Sequence, residues 1–183
     1  MIKIDKSGRQ KIHARKIDIS IYEGDSDSII LEGILRDERL LDSYLISGKM
    51  YPPGTLHHMI IRMEVRGPML IIEDIEVEMP TIPHNVCAET IESLKPVKGL
   101  AIVSGFTSKV RKLVGGTKGC NHLLALLTAM APAAVQGAWS AMVREPKPIN
   151  SETYMPAAIE RVRNTCRTWR EDGPLVKEWS AKS

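Results

Sequence analysis

Residues 56–79 read LHHMIIRMEVRGPMLIIEDIEVEM, and this stretch decides the fold. Apolar and polar side chains alternate along residues 56–66 and again along residues 69–79, which is the period of a half-buried β-strand. Gly67-Pro68 between the two runs is typical of a tight turn. The stretch therefore predicts an antiparallel hairpin with one packed face and one solvated face. On the first strand, His57 shares its face with Met59 and Ile61, so its side chain is predicted to point inward.

The sequence before this hairpin also has strand periodicity. Residues 12–21 form a predicted strand, the polar residues 24–27 form a turn, and residues 28–36 form a second strand. The second strand leads into a polar corner at residues 36–39. Its carboxylates belong to a set, Asp18, Asp37, Glu38, Asp74 and Glu76, of which most are interpreted as solvated surface groups.

The sequence after Pro80 has helical periodicity. The spacing predicts a short helix over residues 86–94 that ends at Pro96, and a helix through Val110 and Leu113 that Ser104 or Thr107 caps. Gly115-Gly116 ends that helix, and a long apolar helix follows from about Lys118, kinked or restarted at Pro132. Residues 144–150 are interpreted as a linker to a last helix near residues 156–170.

These elements predict the α+β class, with an antiparallel sheet from the N-terminal half covered on one face by helices from the C-terminal half. The chain of 183 residues is expected to be a single domain over residues 1–183, strand-rich over 10–80 and helix-rich over 84–170.

Composition narrows the class of protein. The chain is 43% hydrophobic and 26% charged, which is ordinary for a soluble globular protein. Its formal net charge of +3 is small, so we do not expect it to bind nucleic acid. Three cysteines do not make a disulfide framework in a chain of this size, so a reducing compartment, the cytoplasm, is expected. We recognise neither a signal peptide nor a run of about 20 apolar residues, and therefore expect no membrane partner.

The segment over residues 114–124, VGGTKGCNHLL, carries the clearest chemical signal. A glycine-rich turn leads into a helix whose first turn holds Cys120. Unpaired N–H groups and the positive end of the helix dipole favour the thiolate there, the form that binds metals and attacks electrophiles. His122 is two residues further, about 200° around a helix, so it is not expected to pair with Cys120.

A candidate site therefore lies where the strand of His57 meets the starts of the helices that carry Cys87 and Cys120. Two thiolates and one imidazole suit zinc or iron, and His122, His58, a carboxylate or water could supply a fourth ligand. If this hypothesis holds, the side chains of His57, Cys87 and Cys120 converge to within about 5 Å. The alternative is that both cysteines and the histidine are ordinary packing residues.

Several motifs in chain order resemble those of an uncharacterised bacterial family, the domain-of-unknown-function family 2889. They are residues 31–37 (LEGILRD), His57 with Met59, residues 83–87 (PHNVC), residues 104–107 (SGFT) and the GGTKGCNHL string of residues 115–123. The resemblance covers most of the chain and implies no established activity. Where that family tends to have aspartate, this chain has His58.

The layout of residues 55–140 is also similar to that of the iron–sulfur cluster assembly scaffold proteins. The similarity implies a site in which His57 replaces the first cysteine ligand of the scaffold and Cys87 and Cys120 are the second and third.

Three functions follow as hypotheses. The first is a metal- or iron–sulfur-binding accessory or carrier protein that uses His57, Cys87, Cys120 and His122, with zinc, iron or an iron–sulfur cluster as cofactor and a protein partner if it is a carrier. The second is a thiol-dependent enzyme that acts on a small acyl or thioester substrate through Cys120. The third is a binding module that carries no chemistry.

Overall fold

The first half of the chain forms a four-stranded antiparallel sheet. A computed structural model describes residues 5–44, 46–144, 159, 160 and 162–181. The sheet strands are β1 (His13–Glu23), β2 (Ser28–Arg39), β5 (Gly54–Arg66) and β6 (Ile71–Thr81), in the spatial order β1-β2-β5-β6. Two short strands, β3 (Ser43–Tyr44) and β4 (Met50–Tyr51), pair with each other in a second sheet. The predicted sheet of the N-terminal half is confirmed.

Strand β5 of the hairpin has the predicted faces. On β5 the side chains of Met59, Ile61, Met63 and Val65 are buried, whereas Arg62 on the opposite face donates to Glu32 Oε2 at 2.7 Å and contacts Glu78. The turn at Gly67 has a positive φ of 68°, and the N–H of Leu70 donates to the carbonyl of Gly67.

Strand β2 is longer than predicted, because it continues through the polar corner to Arg39. Its inward row alternates strictly and includes Ile29, Leu31, Leu35 and, at its end, Asp37, all of them buried. A β-bulge follows Asp37 in the pairing with β5. The interpretation of the carboxylates in this corner as solvated is therefore wrong for Asp37.

Helical segments follow the sheet in the described part of the chain. The first is a 3₁₀ helix, Asn85–Val97, rather than an α-helix over residues 86–94, and it includes Pro96. Its buried residues Leu94 and Val97 are three apart, a spacing that a 3₁₀ helix places on one side. The second, α1 (Phe106–Val114), follows Gly105 with no side-chain cap, so the predicted caps Ser104 and Thr107 are wrong.

The long helix α2 (Asn121–Met142) begins three residues later than predicted, because Gly116–Lys118 forms a 3₁₀ turn in front of it. The helix continues without a break through Pro132. It lies over the inward face of the sheet: a Cβ built on Gly33 of β2 would be 2.5 Å from Met130 Sδ, and one built on Gly137 would be 2.8 Å from Ile21 Cγ2 of β1. The prediction that helices cover one face of the sheet is confirmed.

By length and composition, α2 is the one helix in the described part of the chain that could cross a membrane. This departs from the expectation that no segment approaches a membrane span. The core helix of a globular protein can have the same length and composition. In α2, the residues buried in the core are Leu123, Leu126, Leu127, Met130, Ala131 and Ala134. Location in the cytoplasm stays a prediction.

The chain divides into two compact units, Met1–Ala141 and Met142–Ser183. The first contains the sheet and the main core. In the described part of the second, α3 (Pro174–Ser180) is a short helix that was not predicted, and the rings of Trp169 and Trp179 pack edge to face at 5.2 Å. The predicted linker over residues 144–150 lies outside the described residues except for Arg144. The predicted helix over 156–170 is wrong for residues 163–170, of which 163–169 form turns and bends, and residues 156–158 and 161 lie outside the described residues. A single domain over residues 1–183 stays a prediction.

Candidate metal centre

The pairing of strands β1, β2 and β5 positions the first three side chains of the site. Arg15 of β1 is paired with Asp37 of β2, and Asp37 is paired with His57 of β5. Residues that face each other across antiparallel strands share one face of the sheet, so these three side chains form a row on the inward face. The row lies two residues beyond Leu35 and Met59, where the apolar core ends. The site is therefore at the polar end of the packed face.

The start of α2 supplies the fourth side chain. Cys120 is the N-cap residue of this helix, because its carbonyl accepts from the N–H of Leu124 at 2.9 Å. His122, in the first turn, is directed at Asp37, with His122 Nε2 3.4 Å from Asp37 Oδ2. The packing of α2 across β2 and β1 thus sets the position of His122 over the row.

Asp37 is the centre of the cluster, and its side chain is only 2% exposed. Its Oδ2 atom lies 3.1 Å from His57 Nδ1 and accepts from Arg15 Nη2 at 2.6 Å, in addition to its contact with His122. Its Oδ1 atom accepts from Arg15 Nε at 2.6 Å and lies 3.5 Å from His13 Nε2. The imidazoles of His57 and His122 stack, with ring centroids 3.7 Å apart and planes at 26°.

Charge and burial shift two pKa values in this cluster. The Arg15 guanidinium, through its hydrogen bonds, lowers the pKa of Asp37 to about 2, against the opposing effect of burial. Burial, helped by the nearby His57, lowers the pKa of His122 below its ordinary value. Asp37 is therefore ionised and neutral His122 is favoured, which are the protonation states in which these groups bind metal ions.

One ligand atom from each of Asp37, His57 and His122 can be chosen so that all lie within 4.8 Å of one another. Within the described ranges this is the one group of three or more histidine, cysteine, aspartate or glutamate side chains that meets this criterion. Two imidazoles and one carboxylate, with further positions left for water or another ligand, are a known donor set for divalent transition metals.

The structure brings together two of the four predicted site residues, His57 and His122. Cys120 is beside them, with its Sγ 3.7 Å from His122 Nδ1. Cys120 and His122 were expected to point apart, and this prediction is wrong, because Cys120 precedes the helix and does not follow its rotation of about 100° per residue. Cys87 lies in the 3₁₀ helix and does not belong to the three-residue group, so the expected convergence of His57, Cys87 and Cys120 gives way to Asp37, His57 and His122.

His58, considered above as a fourth ligand, belongs to the opposite face of the sheet. It is paired with Arg36, whose charge adds to burial in lowering the pKa of His58. It is therefore separated from His57 by the sheet itself, as the alternation of β5 requires.

Sequence reasoning missed Asp37 and Arg15. A signal for Asp37 was present, because the apolar row of Ile29, Leu31 and Leu35 on β2 reaches position 37 by the same period of two. An ionisable side chain at an inward position must find partners, and Arg15, His57 and His122 are those partners.

Fold and site together define the class of protein: an α+β domain that places a cluster of two histidines and one aspartate where its covering helix begins. The chain belongs to the family described as Protein of unknown function (DUF2889), which matches residues 13–136. That range includes Arg15, Asp37, His57, Cys120 and His122. Comparison with curated proteins and with solved structures gave no match, so the likeness to iron–sulfur scaffold proteins has no support.

Proposed function

We propose that this protein binds one divalent transition-metal ion through Asp37, His57 and His122. The observation that carries the proposal is the convergence of Asp37 Oδ2, His57 Nδ1 and His122 Nε2 at one end of the sheet. The three residues come from β2, β5 and α2, which the core packing holds in place, so the ligands are preorganised.

The distances in the cluster support this ligand set. Two ligands bonded to one ion at about 2.1 Å are about 3.0 Å apart at a right angle and about 3.4 Å apart at a tetrahedral angle. The separations of His57 Nδ1 and His122 Nε2 from Asp37 Oδ2 are 3.1 and 3.4 Å. An ion could therefore be bound with small side-chain movements.

The donor atoms favour zinc or ferrous iron over an iron–sulfur cluster. Imidazole nitrogen and carboxylate oxygen are borderline and hard donors, whereas iron–sulfur clusters are held mainly by thiolates. His57 and His122 are 16% and 27% exposed, so an ion could enter and leave without unfolding of the core. Such an open site is consistent with an accessory or carrier protein that exchanges its metal.

The test is metal content after equilibrium dialysis against zinc, with protein purified without a histidine tag. We expect about one equivalent in the wild type and a loss of affinity of tenfold or more in His57→Ala and His122→Ala, each of which removes a ligand. Asp37→Asn, which removes the carboxylate ligand, should lose zinc affinity to a similar extent. His58→Ala is the matched control, because it removes the neighbouring imidazole from the other face of the same strand, and it should retain the metal.

Cys87→Ser should also retain the metal, since Cys87 is outside the ligand group. If the ligand variants bind zinc as well as the wild type does, the proposal is wrong. A wild type that binds no metal at all would equally reject the proposal.

A second function is favoured by one specific contact. Cys120 Sγ is 3.7 Å from His122 Nδ1, and the other ring nitrogen of His122 is 3.4 Å from Asp37 Oδ2. A thiol, an imidazole and a carboxylate in this order are the arrangement of cysteine nucleophiles that attack acyl groups, with the histidine as base and the carboxylate orienting it. We propose thiol-dependent acyl transfer, on a small acyl or thioester substrate, as the alternative.

Alkylation rates test this alternative. Cys166 is exposed, and hydrogen bonds from the backbone of Trp169 and Thr168 lower the pKa of its thiol, so the experiment uses a Cys166→Ser background. In metal-free protein Cys120 should react with iodoacetamide faster than Cys87, which is also half-buried, and His122→Gln should remove that advantage. Equal rates for Cys120 and Cys87 would count against a thiol enzyme.

A further inference from the structure

We propose that Arg15 occupies the metal's place on Asp37 until an ion binds, and that the released guanidinium then holds an oxyanion beside the metal. This inference rests on the proposed metal site and names the class of second ligand which that site accepts: a carboxylate or another oxyanion.

The starting observation is that metal and arginine need the same atom. Asp37 Oδ2, the oxygen in contact with both histidines, is also the acceptor for Arg15 Nη2 at 2.6 Å. An ion bound at Oδ2 would repel the guanidinium and replace that hydrogen bond. The second hydrogen bond, from Arg15 Nε to Oδ1, belongs to the same rigid, planar guanidinium group and is expected to weaken with the first.

Arg15 is free to make this movement. Its side chain is 43% exposed, although its partner Asp37 is buried, and it extends from β1, the edge strand of the sheet. A rotation about its outer bonds therefore turns Nη1 and Nη2 away from Asp37 while the strand stays in place. The movement leaves two adjacent N–H donors next to the ion.

The charges around the site favour an anion there. The charges of Asp37 and Arg15 neutralise each other. A divalent ion bound beside this pair therefore makes the site positively charged. Among the described residues, Asp37 is the one carboxylate in the cluster that it forms with His57 and His122. His13, 46% exposed and 3.5 Å from Asp37 Oδ1, adds another donor at the same rim.

The chemistry of these donors identifies the ligand class. A guanidinium presents paired N–H groups that match two oxygens of a carboxylate, sulfate or phosphate group, and a divalent ion with three protein ligands has positions left for an oxygen of the same group. An oxyanion bridging the metal and Arg15 would satisfy both. Metal and oxyanion should therefore bind with positive coupling.

The experiment measures the affinity of the full-length protein for Co²⁺, followed by its visible absorption, at one ionic strength set with perchlorate. It is repeated with part of the perchlorate replaced by acetate or by sulfate. In the wild type we expect at least one of these anions to tighten Co²⁺ binding by about fivefold or more, within the usual range of coupling between sites. Comparison of the effect of acetate with that of sulfate distinguishes a site for carboxylates from a site for tetrahedral oxyanions.

Arg15→Gln separates the two parts of the inference. Without the competing guanidinium, Co²⁺ should bind more tightly than in the wild type in perchlorate alone, and the effect of acetate or sulfate should fall below about twofold. Arg36→Gln is the matched control, since it removes the same charge from the outward face of β2, one residue from Asp37, and it should leave both quantities unchanged. Arg15→Lys keeps the charge but not the paired donors, so it should bind Co²⁺ as the wild type does in perchlorate and lose most of the anion effect.

The inference is overturned if neither anion changes Co²⁺ affinity in the wild type, or if Arg15→Gln shows the wild-type anion effect. If Arg15→Gln fails to fold, Arg15→Lys provides the test instead. The inference is then overturned if acetate or sulfate changes the Co²⁺ affinity of Arg15→Lys as much as that of the wild type. Failure of the wild type to bind Co²⁺ at all would instead reject the proposed function, so the two failures are distinguishable.

Discussion

Asp37 is the residue on which the account depends. It is an ionised carboxylate with 2% of its side chain exposed, and such a group is costly unless hydrogen bonds and opposite charges surround it. Arg15 on β1 donates two hydrogen bonds to this carboxylate, and the imidazoles of His57 and His122 contact it as well. Both stability and metal binding should therefore be sensitive to changes at this position.

The lowered pKa of Asp37 predicts a pH dependence of stability in the metal-free protein. Its pKa is about 2 in the folded state against an ordinary 3.8, so its ionisation stabilises the fold above pH 3.8 and this contribution is lost as the pH falls towards 2. The full contribution is about 2 kcal/mol, of which about 1 kcal/mol should be lost between pH 6 and pH 3. Urea unfolding of the wild type and Asp37→Asn at both pH values measures it.

The difference in unfolding free energy between wild type and Asp37→Asn should shrink as the pH falls, because the variant has no carboxyl group to protonate. A Glu38→Gln variant provides the control, since Glu38 pairs with Lys16 on the outward face, both of them partly exposed. A difference for Asp37→Asn that is independent of pH would contradict this explanation.

At the scale of the elements, α2 positions His122 by its close approach to the sheet. Gly33 on β2 and Gly137 on α2 leave room for Met130 and Ile21, so that the helix lies directly on the strands. Small residues at such contacts set the helix-to-sheet distance. The first turn of α2 is thereby brought within 3.4 Å of Asp37.

Gly137→Ala should destabilise the protein by about 1–2 kcal/mol, although glycine-to-alanine changes inside a helix ordinarily stabilise by up to about 1 kcal/mol. The reason is that the new Cβ would lie 2.8 Å from Ile21 Cγ2, a β-branched side chain with little freedom to move. Thermal or urea unfolding measures the change. Gln136→Ala, at the exposed neighbouring position, should stay within about 0.5 kcal/mol, and a stabilised Gly137→Ala would refute the close approach.

The sequence predicted the sheet well because burial on one face imposes a period of two, which is visible in residues 56–79 and which placed His57 inward. It did not predict that Asp37 and His57 are neighbours. Their pairing depends on the register of β2 against β5 across residues 40–53 and on the bulge after Asp37, neither of which local periodicity contains. His122 was named as a possible ligand, but its contact with Cys120 depends on the helix beginning one residue after Cys120.

At the scale of the whole molecule, the first unit, Met1–Ala141, contains every residue assigned to the site and the whole main core. The family match over residues 13–136 lies inside it. Folding and metal binding are therefore expected to be properties of this unit.

A chain ended after Arg144 should keep the far-ultraviolet circular dichroism of the sheet and α2, unfold cooperatively, and bind zinc within about threefold of the full-length affinity. The physical reason is that a compact unit with its own core can fold alone. As a control, ending the chain after Pro132 removes Ala134 and Gly137 from the core contact of α2, and it should impair folding. Loss of folding in the longer fragment would show that residues 145–183 are required.

The most direct test of the central claim is X-ray absorption at the zinc edge of the zinc-loaded protein, because it reports the ligand atoms themselves. Ligation by Asp37, His57 and His122 predicts nitrogen and oxygen ligands at roughly 2.0–2.1 Å, outer-shell scattering from two imidazoles, and no sulfur. A zinc–sulfur distance of about 2.3 Å would contradict ligation by Asp37, His57 and His122 alone and would indicate that Cys120 or Cys87 is a ligand.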